Sequence, residues 1–151
     1  TPLSLMESWV DTAAANKDTW LVLVFHGIDS LGWQWTPIPK LEAYFSYIKR
    51  REDRLWVATF GDVTRYMRER EHARVTAEEK GGVITVTLTH SLDPRMYDLP
   101  LTLKTYLPGR WTKVSLTQGT ARRRLSLQHD AHGAYVLYQL KPNSTNALRR
   151  P

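Results

Sequence analysis

An unbroken apolar stretch, Trp20-Leu21-Val22-Leu23-Val24-Phe25, ends in His26-Gly27. A run of that kind, rich in Val and Leu, predicts a strand over Leu21–Phe25 that is buried on both faces, as in parallel sheets covered by helices. Helical spacing surrounds it. Leu3, Met6, Val10 and Ala13 recur on one face behind Pro2, and Asn16 is a suitable stop. Ile38, Leu41, Phe45 and Ile48 mark a second amphipathic helix, with Lys49, Arg50 and Arg51 at its carboxyl end, where the helix dipole favours cations. Leu55–Phe60 predicts another short strand. Gly61 and Asp62 open a last helix, with Val63, Tyr66 and Met67 on its inner side.

The period changes near Gly81-Gly82. Val83–Thr89 alternates strictly, apolar then threonine, as a half-buried strand does. Leu99, Leu101 and Leu103 alternate again, and Pro108-Gly109 is a turn signal. Trp111–Thr117, Leu125–Gln128 and Ala134–Leu140 complete the strands, and Asp130-Ala131-His132-Gly133 forms a hairpin tip.

Strands alternating with helices, followed by strands alone, give an expected fold class of α/β followed by all-β. The first part is a partial parallel-sheet half-barrel with a βαβ unit, over residues 1–75. The second is a small antiparallel β-sandwich over 81–142, and 143–151 is a frayed tail. Two parallel strands leave open apolar edges, and open edges pair with something. A homo-oligomer is therefore expected.

Composition changes this picture little. The 151 residues carry 21 basic and 15 acidic side chains, a net charge of +6, and no cysteine. Disulfides and thiolate metal sites are excluded. The positive balance favours anionic partners, but the charge is spread. Its densest pieces, Arg122-Arg123-Arg124 and Arg149-Arg150, read as a solvated loop and a loose tail. Basic and aromatic residues are not interleaved as in nucleic-acid modules, so nucleic acid is not an expected partner. No apolar run reaches membrane-spanning length, and a membrane is not an expected partner either.

Chemistry in such sheets gathers at the carboxyl ends of strands, where His26 lies. Imidazole titrates near neutral pH and can serve as an acid–base group. The structural alternative is a hydrogen-bonded core histidine. Asp29 could orient that ring and Ser30 could act as a nucleophile, although both residue types are common in turns and no Gly-x-Ser-x-Gly elbow is present. Trp33 and Trp35 sit in the loop beside His26, where indole could stack on a sugar or wall an acyl pocket. His129, Asp130 and His132 flank a turn and read as structural or solvent-facing, and His90 as a surface residue.

The order Val24-Phe25-His26-Gly27, then Trp56-Val57-Ala58-Thr59-Phe60-Gly61-Asp62-Val63-Thr64-Arg65-Tyr66, resembles the carboxyl-terminal half of the polysaccharide deacetylases, the NodB-like carbohydrate esterases. Leu92-Asp93-Pro94 through Trp111 resembles an accessory β-domain of some members. The resemblance implies hydrolysis of acetylated sugars or short acyl esters, with His26 in the place of the histidine that protonates the leaving group. It also implies an extracellular or periplasmic setting. The family's divalent metal is implied too, but its Thr-Phe-Asp-Asp-Gly and His-x-x-x-His motifs are absent, so no metal ligand and no cofactor is assigned. The competing expectation is a non-catalytic carbohydrate-binding or structural fragment.

Overall fold

The computed structural model describes residues 1–16 and 18–150; Lys17 and Pro151, the last residue of the expected tail, lie outside them. The chain divides into two compact units, Thr1–Phe60 and Gly61–Pro151.

In the first unit, helix α1 (Leu3–Ala15) and helix α2 (Ile38–Lys49) pack together. Met6 and Val10 of α1 and Tyr44 of α2 form a buried cluster, joined by Leu21, Leu23, Phe25, Tyr47, Ile48 and Leu55. Asp11 fastens the helices: it accepts from the Tyr47 hydroxyl at 2.7 Å and from Arg51 Nε at 2.8 Å. Both bonds, the tyrosine's first, hold its carboxyl below the ordinary aspartate range. A two-residue hairpin joins β1 (Gly27–Ile28) to β2 (Leu31–Gly32). A Cβ on Gly27 would meet the Leu31 carbonyl oxygen at 2.0 Å, so only glycine fits.

Among the described residues neither Leu21–Phe25 nor Leu55–Phe60 pairs with a neighbouring strand, so neither is a strand. The apolar run is not buried on both faces. Leu21, Leu23 and Phe25 turn inward while Val22 and Val24 face solvent, Val24 at 71% exposure. The expected parallel half-barrel and βαβ unit are therefore corrected. Every ladder is antiparallel, and the one parallel contact among the described residues is the isolated bridge Ile28–Thr36.

The second unit begins within helix α3 (Phe60–His72) and continues as strands β3 (Arg74–Lys80), β4 (Val83–Thr89), β5 (Leu101–Tyr106), β6 (Val114–Gln118), β7 (Ala121–Leu125), β8 (Gln128–Asp130), β9 (Gly133–Leu140) and β10 (Ser144–Arg149). One sheet has the order β3-β4-β10-β6-β7 and the other β5-β9-β8. The expected tail is in fact β10, the middle strand of the larger sheet. Gly81 and Gly82, both at positive φ (59° and 76°), close the β3–β4 hairpin. Such two-residue turns match the strand twist and need residues that tolerate the left-handed region. Ile84, Val86, Leu88 and Leu148 of the larger sheet share a buried core with Leu101, Val136, Tyr138 and Leu140 of the smaller, and Trp111 lies within it. Each sheet thus buries one face and turns the other outward.

Candidate functional site

Strand parity decides which side chains the smaller sheet presents. Val136, Tyr138 and Leu140 of β9 point inward, so Tyr135, Leu137 and Gln139 point outward. The register places Tyr106 of β5 and Gln128 of β8 on either side of Tyr135, so these three form one outward row across all three strands. The next row holds Lys104 and Leu137. Asp130, opposite Gly133, closes the end of the sheet at the hairpin tip.

These groups hold one another in fixed positions. Lys104 Nζ lies 4.0 Å from the Tyr135 ring centroid and 4.9 Å from that of Tyr106. It also binds the Asp130 carboxylate. Asp130 Oδ2 accepts from the Tyr106 hydroxyl at 2.9 Å, and Oδ1 from the His132 backbone N–H at 2.8 Å. The Tyr135 hydroxyl donates to Gln128 Oε1 at 2.9 Å. The Tyr106 ring meets Tyr135 and His132 edge-on, with centroids 5.9 and 6.0 Å apart. The bond to Lys104 above all, with those from His132 and Tyr106, pulls the Asp130 carboxyl down to about 2. The same carboxylate, followed by the Tyr106 hydroxyl, raises Lys104. Both groups stay charged across the neutral range. The result is a solvent-facing surface with two aromatic rings, an exposed leucine and a fixed set of polar groups. Tyr106 is 42% exposed.

A second polar arrangement is buried. Glu69 of α3 and His90, just past β4, have wholly buried side chains, with Oε2 and Nε2 3.6 Å apart. Leu92 N–H donates to His90 Nδ1 at 3.3 Å, which leaves the ring proton on Nε2, facing the carboxylate. Glu69 Oε1 accepts from Leu99 N–H at 3.2 Å. Tyr66, one turn earlier, takes Thr102 N–H on its hydroxyl at 3.2 Å. Through Leu99, Glu69 anchors α3 to the segment leading into β5, while its Oε2 and His90 Nε2 face each other without a hydrogen bond. His90 is thus no surface residue.

The residues singled out in the first unit lie close in sequence, on and around the β1–β2 hairpin. Asp29 and Ser30, both at positive φ (47° and 74°), are the turn of the β1–β2 hairpin. The His26 ring is exposed and meets Trp33 edge-on at 5.0 Å. Among the described residues no hydrogen bond joins His26 to Asp29 or Ser30. Trp33 and Trp35 are exposed. No group of three or more His, Asp or Glu residues placed to hold a metal occurs among the described residues.

No family model and no solved structure matches the chain. A 67-residue stretch is 34% identical to a gellan lyase from Bacillus sp.. That stretch is 44% of this chain, which spans only about 3% of the length of its curated relative. The resemblance to polysaccharide deacetylases is corrected on both counts. The matching protein is a polysaccharide lyase, and the chain is mostly antiparallel sheet rather than an α/β barrel. The ester-hydrolase and deacetylase readings go with it.

The row Tyr106–Tyr135–Gln128 with Lys104 was not found from the sequence. Its signal was the outward parity of Leu101–Tyr106 and Ala134–Leu140, whose out-facing positions carry tyrosine where a solvated face needs none.

Proposed function

We propose that residues 61–150 are a non-catalytic carbohydrate-binding β-module of a larger polysaccharide-acting protein, with its site on the outer face of the β5–β9–β8 sheet. The observation that carries this reading is the outward row of Tyr106, Tyr135 and Gln128, flanked by Lys104 and Asp130. Sugar rings have apolar C–H faces and a rim of hydroxyls. Aromatic rings take the former, and fixed carboxylate, ammonium and amide groups take the latter. Hydrogen bonds already hold these polar groups in place, so little side-chain entropy is lost on binding. The partial identity to a gellan lyase supports a polysaccharide as the ligand class. Trp33 and Trp35, exposed in the first unit, are a further proposed stacking surface for the same class of ligand.

Affinity electrophoresis of the full chain through gels containing gellan tests the reading. The chain is expected to be retarded, and Tyr106→Ala and Tyr135→Ala each to weaken binding about tenfold or more, the scale of a well-placed aromatic contact. Unretarded migration, or retardation indifferent to both substitutions, would overturn it.

A further inference from the structure

The outer face of the larger sheet has a different chemistry. The register places Lys80, Val83, Arg149, Ser115 and Arg124 in one line across β3, β4, β10, β6 and β7. The adjacent line is Glu78, Thr85, Ala147, Thr117 and Arg122. Val86, Leu116 and Leu148 belong to the opposite, buried parity, so these lines face outward. Lys80, Arg122, Arg124 and Arg149 are all exposed. None of the four has an ion-pair partner among the described residues. Ser115 is buried beneath them, and Arg122 Nε donates to its Oγ at 3.1 Å.

Adjacent strands lie about 4.8 Å apart, and Lys80, Arg149 and Arg124 stand two strands apart from one another. Three cations therefore recur at about 10 Å intervals over about 20 Å. Like charges lined up across a sheet do not help it fold, since opposite charges are the stabilising cross-strand choice. At physiological salt their mutual repulsion at about 10 Å is largely screened, and it grows as the salt is lowered. A linear anion lying across the strands would relieve it.

We propose that this line is a second binding surface and that its occupant is an anionic polysaccharide carrying carboxylates along its length. The choice of a glycan rests on the carbohydrate-binding reading above. Guanidinium groups bind carboxylate oxygens in pairs, which gives the contact direction as well as charge. Among the described residues the out-facing positions of these strands include no aromatic on which a base could stack.

The test is affinity electrophoresis of the full chain in polygalacturonate, carboxymethyl dextran, unmodified dextran and a DNA duplex, at matched ionic strength. The two carboxylated polymers are expected to retard the chain, dextran much less and the duplex less than polygalacturonate. The variant Lys80→Gln/Arg149→Gln/Arg124→Gln is expected to lose about tenfold or more in polygalacturonate affinity. It leaves Arg122 on Ser115. A control of equal charge change, Arg54→Gln/Arg70→Gln/Lys113→Gln, is expected to lose less than threefold. Should the first triple variant fold poorly, Lys80→Gln/Arg124→Gln, with one change on each edge strand, is expected to lose about threefold or more. Equal losses in the two triple variants, absent retention of the wild type, or a duplex held as tightly as polygalacturonate would overturn the proposal. Tyr106→Ala/Tyr135→Ala is expected to keep its polygalacturonate retention, so failure of the tyrosine site and failure of the cationic line give different results.

Discussion

Removing the Glu69 carboxylate probes how the second unit holds its helix. In Glu69→Ala, the buried Leu99 N–H loses its acceptor at 3.2 Å, and His90 Nε2 loses the carboxylate it faces at 3.6 Å, a contact longer than a hydrogen bond. An orphaned donor costs about 1–3 kcal/mol. Truncating a large, fully buried side chain also leaves a cavity, which costs about 2–5 kcal/mol. The two routes overlap, and we expect about 3–5 kcal/mol. Glu69→Gln keeps an oxygen for Leu99 but turns a donor toward His90, and is expected to cost about 1–3 kcal/mol. Hydrogen exchange at the amides of Val86, Leu88, Val136 and Leu140 in the full chain reads the stability of the sandwich itself. Protection should fall by about two to four powers of ten in Glu69→Ala, since about 1.4 kcal/mol is tenfold. In a cycle with His90→Ala the two losses should fall short of additive by more than about 1 kcal/mol. A loss below about 1 kcal/mol in Glu69→Ala, or strict additivity with His90→Ala, would refute the claim that Glu69, facing His90, ties α3 to the sheets.

Other outcomes follow from the same geometry. Trp111 is buried in the core with its indole N–H unpaired, so Trp111→Ala should cost about 3–5 kcal/mol while Trp111→Phe should cost much less, as urea midpoints of the full chain will report. The Asp130 carboxyl titrates near 2 in the folded state and near 3.9 when unfolded. Its stabilising contribution is thus complete above about pH 4 and lost as the pH falls toward 2. The melting temperature of Asp130→Asn should therefore decline less steeply over that window than that of the wild type, and a matching decline would count against the Lys104–Asp130–Tyr106 arrangement.

Pattern made parts of the second unit legible. Strict alternation in Val83–Thr89 gives strand β4 residue for residue, and Ala134–Leu140 falls within β9. In both, alternate side chains face a core, and that periodicity is written in the sequence. The first half misleads because its apolar run invites partners that the chain does not provide. With no adjacent strand among the described residues, Leu21–Phe25 lies extended against α1 and α2, inward on one side only. Ser144–Arg149 reads as a tail because its inward residues, Asn146 and Leu148, include only one apolar side chain. Long-range pairing with β4 and β6 makes it a strand, and no local signal carries that pairing. The same register turns two separated basic clusters into one line. Asp29 and Ser30 could have been read as hairpin residues, since both types favour turns. The tyrosine row needed the register of three strands, which spacing alone does not contain.

Chemical-shift mapping of the full chain with gellan oligosaccharides tests the central claim most directly. Perturbations concentrated at Lys104, Tyr106, Gln128, Tyr135 and Leu137, and lost in Tyr106→Ala/Tyr135→Ala, are the predicted result. Perturbations absent from that face, or confined to other parts of the chain, would contradict a saccharide site on the β5–β9–β8 sheet.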